Sequence, residues 1–196
     1  MADDRTGHIL DSALTVFSQY GYAKTTMQDI ARAAGMSRAA LYLHFASKED
    51  LFRAGSRRAH DRALELVDAS LAEQGDALSR VDAAMAVYFG ELMAQISSSV
   101  HGKELFDASL DITGDIVGEA QAALVARLVS ALDAAAAAGE VRFSTVDATA
   151  EDIALLLLAV ADGLKTTSAD PAIWRERRAL FLRLMRRAIA PTGIGS

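Results

Sequence analysis

Apolar residues recur at helical spacing through nearly the whole chain, and no strand-length window alternates convincingly at period two. That pattern predicts an all-α fold. The first helix covers about residues 6–20, with Ile9, Leu10, Ala13, Leu14, Val16 and Phe17 as its apolar face. Gly21 follows it, where left-handed backbone closes a helix cheaply. Thr26 is placed to cap a short second helix, with Asp29 three residues on to complete a capping box. Ile30, Ala31 and Ala34 turn inward on it, and Gly35 ends it. Ser37 caps a third helix over about 38–45, and Ser47 caps a long fourth from 48 to about 71, carrying Leu51, Phe52, Leu64 and Val67.

Further along, Val81, Met85, Tyr88, Leu92 and Ile96 form one stripe, stopped by three serines at 97–99. Helices over 101–112 and 115–138 come next, the second closed by Gly139. Residues 147–167 are apolar almost all round in their middle, which predicts burial on more than one side. Asp170-Pro171 starts the last helix, which runs to about 190 before a frayed tail. The sum is about nine helices: an N-terminal three-helix helix-turn-helix domain and a C-terminal helical domain.

Composition narrows the class. With 52% apolar residues the 196-residue chain can bury enough surface to fold, and its 2 prolines suit helix interiors. The absence of cysteine excludes a disulfide framework, thiolate metal sites and cysteine nucleophiles. The opening residues lack the basic start and apolar core of a signal peptide, and the longest unbroken apolar run, 153–161, is 9 residues. A bilayer span needs roughly 20. The expectation is a cytoplasmic protein without a membrane partner.

The net charge of −6 is unevenly spread: residues 1–60 carry 8 Lys/Arg against 6 Asp/Glu, whereas 61–196 carry 12 against 20. Nucleic-acid binding needs a local positive footprint, not a basic whole. Residues 26–45 give that footprint a shape, since two short helices joined at Gly35-Met36 satisfy the helix-turn-helix pattern. Ile30 and Leu41 supply the core between them. The outer face of the third helix presents Ser37, Arg38, Ala39, Tyr42 and, beyond it, His44, a surface of donors and little bulk. It suits a major groove about 12 Å wide.

The stretch from Gly21-Tyr22-Ala23-Lys24-Thr25-Thr26 through Asp29-Ile30-Ala31, Gly35-Met36-Ser37-Arg38, Leu41-Tyr42-Leu43-His44-Phe45 and Lys48-Glu49-Asp50-Leu51 resembles the tetracycline-repressor (TetR) family of bacterial transcriptional regulators. Weaker echoes lie at residues 138–142 and 161–164. The resemblance implies a homodimeric repressor that a small effector releases from a palindromic double-stranded DNA operator. Residues 1–47 would be the DNA-binding domain and 48–196 the ligand-binding and dimerisation domain. Thr25 or Thr26 would donate a hydroxyl to a phosphate, and Arg38 would read guanine O6 and N7. Ala39 and Ala40 would meet thymine methyls, Ser37 would lie on the same surface, and Tyr42, His44 and Lys48 would hold the backbone. Leu43 departs from the family, which often has an aromatic or polar residue there.

Met85, Tyr88, Phe89, Met93, Phe106, Ile112, Ile116 and Trp174 could enclose an apolar effector, with His101 as a polar group in the wall; each also fits a plain packed core. Dimerisation is expected through the last two helices, where the apolar 153–161 segment would pack with Trp174, Leu180, Phe181 and Leu184. His101, Glu104, Asp107 and Asp111 share one helical face that fits either a divalent metal or, more simply, a solvated acidic stripe. No metal or cofactor is expected. No phosphate loop or nucleophile–base pair supports an enzyme. A rival reading is a constitutive or protein-partnered helix-turn-helix protein without a small-molecule pocket.

Overall fold

The computed structural model describes residues 2–97, 99–167 and 171–190. These contain α1 (Ala2–Tyr20), α2 (Met27–Ala33), α3 (Arg38–Tyr42), α4 (Lys48–Leu71), α5 (Ala77–Ser97), α6 (Gly102–Ala137), a 3-10 turn (Phe143–Thr145), α7 (Ala150–Thr167) and α8 (Pro171–Ile189), with no strand among the described residues.

The local signals act at the ends of these helices. Gly21, Gly35 and Gly139 adopt φ of 82°, 65° and 75°, each just past a helix end. Thr26 accepts from the Asp29 amide while the Asp29 carboxylate accepts from Thr26, closing a capping box at α2. Ser37 accepts from the Ala40 amide at 3.1 Å and Ser47 from the Asp50 amide at 3.0 Å, fixing the starts of α3 and α4.

Three elements differ from the sequence pattern. Helix α3 stops at Tyr42, because the next turn tightens. The Leu43 and His44 amides bond three residues back, to Ala40 and Leu41, and this tighter turn carries Phe45 into the core. The two helices expected at 101–138 form one element interrupted at Thr113 (φ −125°, ψ 17°). The Thr113 hydroxyl is buried and donates to the Ser109 carbonyl at 2.7 Å, a back-bond that bends helices. Helix α7 begins at Ala150, three residues late, since Asp147 sits at φ 51° and a Thr149–Asp152 capping box sets the start. Asp170, read as the cap of the last helix, lies outside the described residues.

The chain resolves into two compact units, Met1–Glu65 with Tyr88–Ala120, and Leu66–Val87 with Gln121–Ser196. In the first, Ile9, Val16, Phe17, Ile30, Leu41, Phe45, Leu51 and Leu105 form one buried cluster, so α1, α2, α3 and the starts of α4 and α6 share a core. Phe17, Tyr22 and Phe52 add a ring triangle with centroids 4.9–5.5 Å apart. Arg53 of α4 reaches the interruption in α6, donating to the Ile112 carbonyl and, in a fork at 2.9 and 2.5 Å, to Asp115. In the second unit, Leu124, Leu128 and Leu132 make a fully buried row on α6. Arg178 and Arg186 of α8 pair with Asp82 and Asp76 of α5.

By length and composition, residues 107–137 of α6 could cross a membrane. They also carry Glu119 and Arg127, ion-paired with Arg57 and Asp68 of α4. A helix with a buried leucine row and charged pairs to a neighbour has the chemistry of a protein core.

Candidate nucleic-acid interface

Helix α3 is short, and its orientation is set by one residue. Leu41 is fully buried against Ile30 and the rest of the first core, which leaves Ser37, Arg38, Ala39, Tyr42, Leu43 and His44 exposed and Ala40 half-buried. Arg38 donates to the Tyr42 hydroxyl at 3.2 Å, and its guanidinium lies 5.4 Å from the centre of that ring. The pairing is an i,i+4 contact on one flank of the helix, and it holds the arginine extended along the outer face. Ser37 uses its oxygen as the cap of α3, leaving its hydroxyl proton for an outside acceptor.

Thr26 is exposed at the N-terminus of α2, with its hydroxyl donating to Asp29 at 2.5 Å. That bond and the Thr26 amide hold the Asp29 carboxyl below the usual carboxylate range. Thr25 is placed differently. It is 2% exposed and its hydroxyl donates to the Gly21 carbonyl at 2.6 Å, so it ties the α1–α2 turn together.

Lys48 likewise points inward. Its ammonium donates to the Tyr22 carbonyl at 2.7 Å and to the Ala23 carbonyl at 3.4 Å, and it lies 4.2 Å from the centre of the Tyr22 ring. Burial lowers its pKa, while the nearby Glu104 opposes that shift. Glu104, from the first turn of α6, accepts from the Ala23 amide at 2.8 Å and lies 3.4 Å from His101 Nδ1. The turn at residues 21–23 is thus held from two sides, by a cation on its carbonyls and a carboxylate on its amide. The helical spacing places Glu104 only on an acidic stripe. Its partner stands 81 residues away, where no local spacing could reveal it. Among the described residues no group of three or more His, Cys, Asp or Glu could hold a metal ion.

The residues read as an effector pocket divide between the units. Tyr88, Phe89 and Ile116 are buried in the first, with the Tyr88 and Phe89 rings edge-on at 5.2 Å; His101 and Ile112 there are half-buried. Met85 is buried in the second. The side chains of Met93, Phe106 and Trp174 lie outside the described residues. Sequence reasoning passed over His60, which is buried on α4 with Nδ1 3.2 Å from the Tyr88 hydroxyl. A lone histidine on a helix gives no local signal of such a pair.

Residues 9–54 match the family model of bacterial regulatory proteins, tetR family. The regulator AcrR of Shigella flexneri is 51% identical over 51 residues, covering 26% of this chain and 24% of that protein. The transcriptional activator FasR of Mycolicibacterium smegmatis is 37% identical over 87 residues, 44% of this chain and 40% of that protein. The chain thus spans less than half the length of these curated relatives in its matched stretch. In fold the likeness is nearly complete: SmeT, the repressor of the Stenotrophomonas maltophilia multidrug efflux pump SmeDEF, superposes with a TM-score of 0.69 over 97% of this chain and 93% of that one, at 23% identity. Residues 9–54 of this chain thus carry the helix-turn-helix of the tetR family of bacterial regulatory proteins, and the all-helical body behind them shares its fold with SmeT.

Proposed function

We propose that the protein is a homodimeric transcriptional regulator, a repressor that leaves a palindromic operator when a small, largely apolar effector binds. The observation that carries this reading is the outer face of α3: Arg38, Ala39, Tyr42 and His44 all exposed, opposite a fully buried Leu41. A helix so anchored has no packing reason for an exposed arginine at its first turn, where the dipole disfavours a cation. A guanine edge supplies the reason.

Residues 1–47 act as the DNA-binding domain and 48–196 as the ligand-binding and dimerisation domain. Arg38 reads a base, Ala39 and Ala40 meet thymine methyls, and Thr26, Ser37, Tyr42 and His44 set the register on phosphates. Thr25 and Lys48 reach phosphates only by giving up the Gly21 and Tyr22 carbonyls, so in the resting state they shape the head. Dimerisation through α7 and α8 is supported by Leu155, Leu156, Leu180 and Leu184, four leucines left 44–59% exposed on these two helices. A two-fold dimer presents two α3 helices to one duplex, hence half-sites about one helical turn or a multiple apart.

The effector is taken within the first unit, by the apolar residues Tyr88, Phe89, Ile112 and Ile116 with His101 as the polar group. It shifts the equilibrium only as far as it prefers the conformation that does not fit DNA. Helix α4, which begins at the head with Lys48, is the lever. SmeT, which shares this fold, is a repressor of a multidrug efflux pump, and that supports the repressor reading. Fluorescence anisotropy with duplexes selected from a random library tests the reading. Nanomolar-range, salt-dependent binding of one palindrome is expected, and binding that ignores sequence would overturn it. Thermal shifts over a panel of apolar compounds test the effector, since a ligand of the native state raises Tm.

A further inference from the structure

The outer face of α3 has an apex, and the apex is apolar. At 3.6 residues per turn Ala39 stands about 160° from the buried Leu41, nearly opposite it, and Leu43, in the tightened turn that follows Tyr42, also stands away from the core. Leu43 keeps helical backbone as the C-terminal cap (φ −74°, ψ −18°) and is 87% exposed, against 42% for Tyr42. Arg38 and Tyr42 lie on one flank of this ridge, joined to each other, and half-buried Ala40 lies on the other. An exposed leucine on a solvent face is common and needs no explanation alone. Here it follows exposed Ala39 by four residues, at the C-terminal end of the face that α3 turns away from its own core.

We infer that Leu43 is a specificity-determining residue, seated on the C5-methyl of a thymine in each half-site. The inference rests on the proposed operator-binding role of α3. Along the floor of the major groove the thymine C5-methyl is the one bulky apolar group, set among hydrogen-bond donors and acceptors. A leucine over a G·C edge would displace water from polar atoms and return no hydrogen bond, leaving them unpaired. Over a thymine it buries its own methyls and the base's. Ala39, one turn earlier with a single methyl, lets the backbone come close enough for that contact. Arg38, held on the flank by Tyr42, then addresses a neighbouring base pair. The half-site accordingly contains a thymine set beside the guanine that Arg38 reads.

The test uses the full-length protein and duplexes enriched from a random library. Each thymine is replaced in turn by deoxyuridine, which removes the methyl and nothing else. One position per half-site is expected to weaken wild-type binding about fourfold, and about fifteenfold when both half-sites are changed. Leu43→Ala should bind the thymine duplex more weakly and treat thymine and uracil alike at that position, with an unchanged Tm because the side chain is exposed. Leu43→Met should restore the discrimination. A uracil scan without effect, or a Leu43→Ala protein that still discriminates, overturns the inference while leaving operator binding intact. Failure to enrich any duplex overturns the operator reading itself, and the inference with it.

Discussion

Gly21→Ala couples backbone strain to the contact that holds the reading head. Gly21 has φ of 82°, in the left-handed region, and its amide closes α1 by donating to the Phe17 carbonyl at 2.8 Å. An alanine forced into that region costs about 1–2 kcal/mol. Its Cβ would also overlap the Glu104 carboxylate, standing 2.8 Å from Cδ. Glu104 would have to leave the Ala23 amide. A hydrogen bond to a charged group contributes about 1.5–3 kcal/mol. Because the Glu104 side chain is 39% exposed, about 1 kcal/mol is the better figure here. The total is about 2–3 kcal/mol, of which only the backbone part should remain once Glu104 is already alanine. Urea titrations of wild type, Gly21→Ala, Glu104→Ala and the double variant measure the coupling, expected at about 1 kcal/mol. If Gly21→Ala costs the same in both backgrounds, to within about 0.3 kcal/mol, the Glu104 contact does not hold this turn.

Thr26→Ala removes the side-chain half of the α2 capping box, leaving the residue-26 amide on Asp29, and should lower stability by about 1 kcal/mol, read as a fall in the urea midpoint; Thr26→Ser should recover most of it. Acid should loosen both units. Hydrogen bonds from Arg53 first hold the Asp115 carboxyl at about 2, and although burial pushes Asp76 up, bonds from Ser79 and Arg186 together bring it to about 2. Both folded-state values lie below the ordinary 3.8, so their stabilisation is present above that pH and is lost as the pH falls toward 2. Asp115→Asn should flatten the fall in urea midpoint across this window, and an unchanged profile would remove Arg53–Asp115 from the account. Leu184→Glu places a charge at Leu184 of α8, which is 59% exposed, and should convert the proposed dimer to monomers in light scattering without lowering helix content. A variant that stays dimeric would move the interface elsewhere.

Much of the head is legible in the sequence because its signals are local. Thr26, Ser37 and Ser47 cap within three residues of themselves, and Gly21, Gly35 and Gly139 sit where only left-handed backbone turns the chain. Leu41 is legible as core from its spacing. What the sequence withholds is tertiary. The inward turn of Lys48 and the hold of Glu104 depend on carbonyls and amides of a turn distant in sequence. Thr113 illustrates the middle case: the break between residues 112 and 115 is visible in the helical pattern. The continuity of α6 across it depends on Arg53, 59 residues away, taking the Ile112 carbonyl. The burial of His60 beside Tyr88 belongs to the same class, for a helix period places a residue on a face without naming the partner opposite.

Dimethyl sulfate interference puts the central claim to its most direct test, because the reagent methylates guanine N7 in the major groove and adenine N3 in the minor groove. With a selected operator, one guanine per half-site should block wild-type binding when methylated. Arg38→Ala should bind more weakly by about 1–3 kcal/mol per half-site and lose its sensitivity to that guanine. Interference at adenine N3 alone, or the same guanine pattern with Arg38→Ala as with wild type, would mean that α3 does not read the major groove.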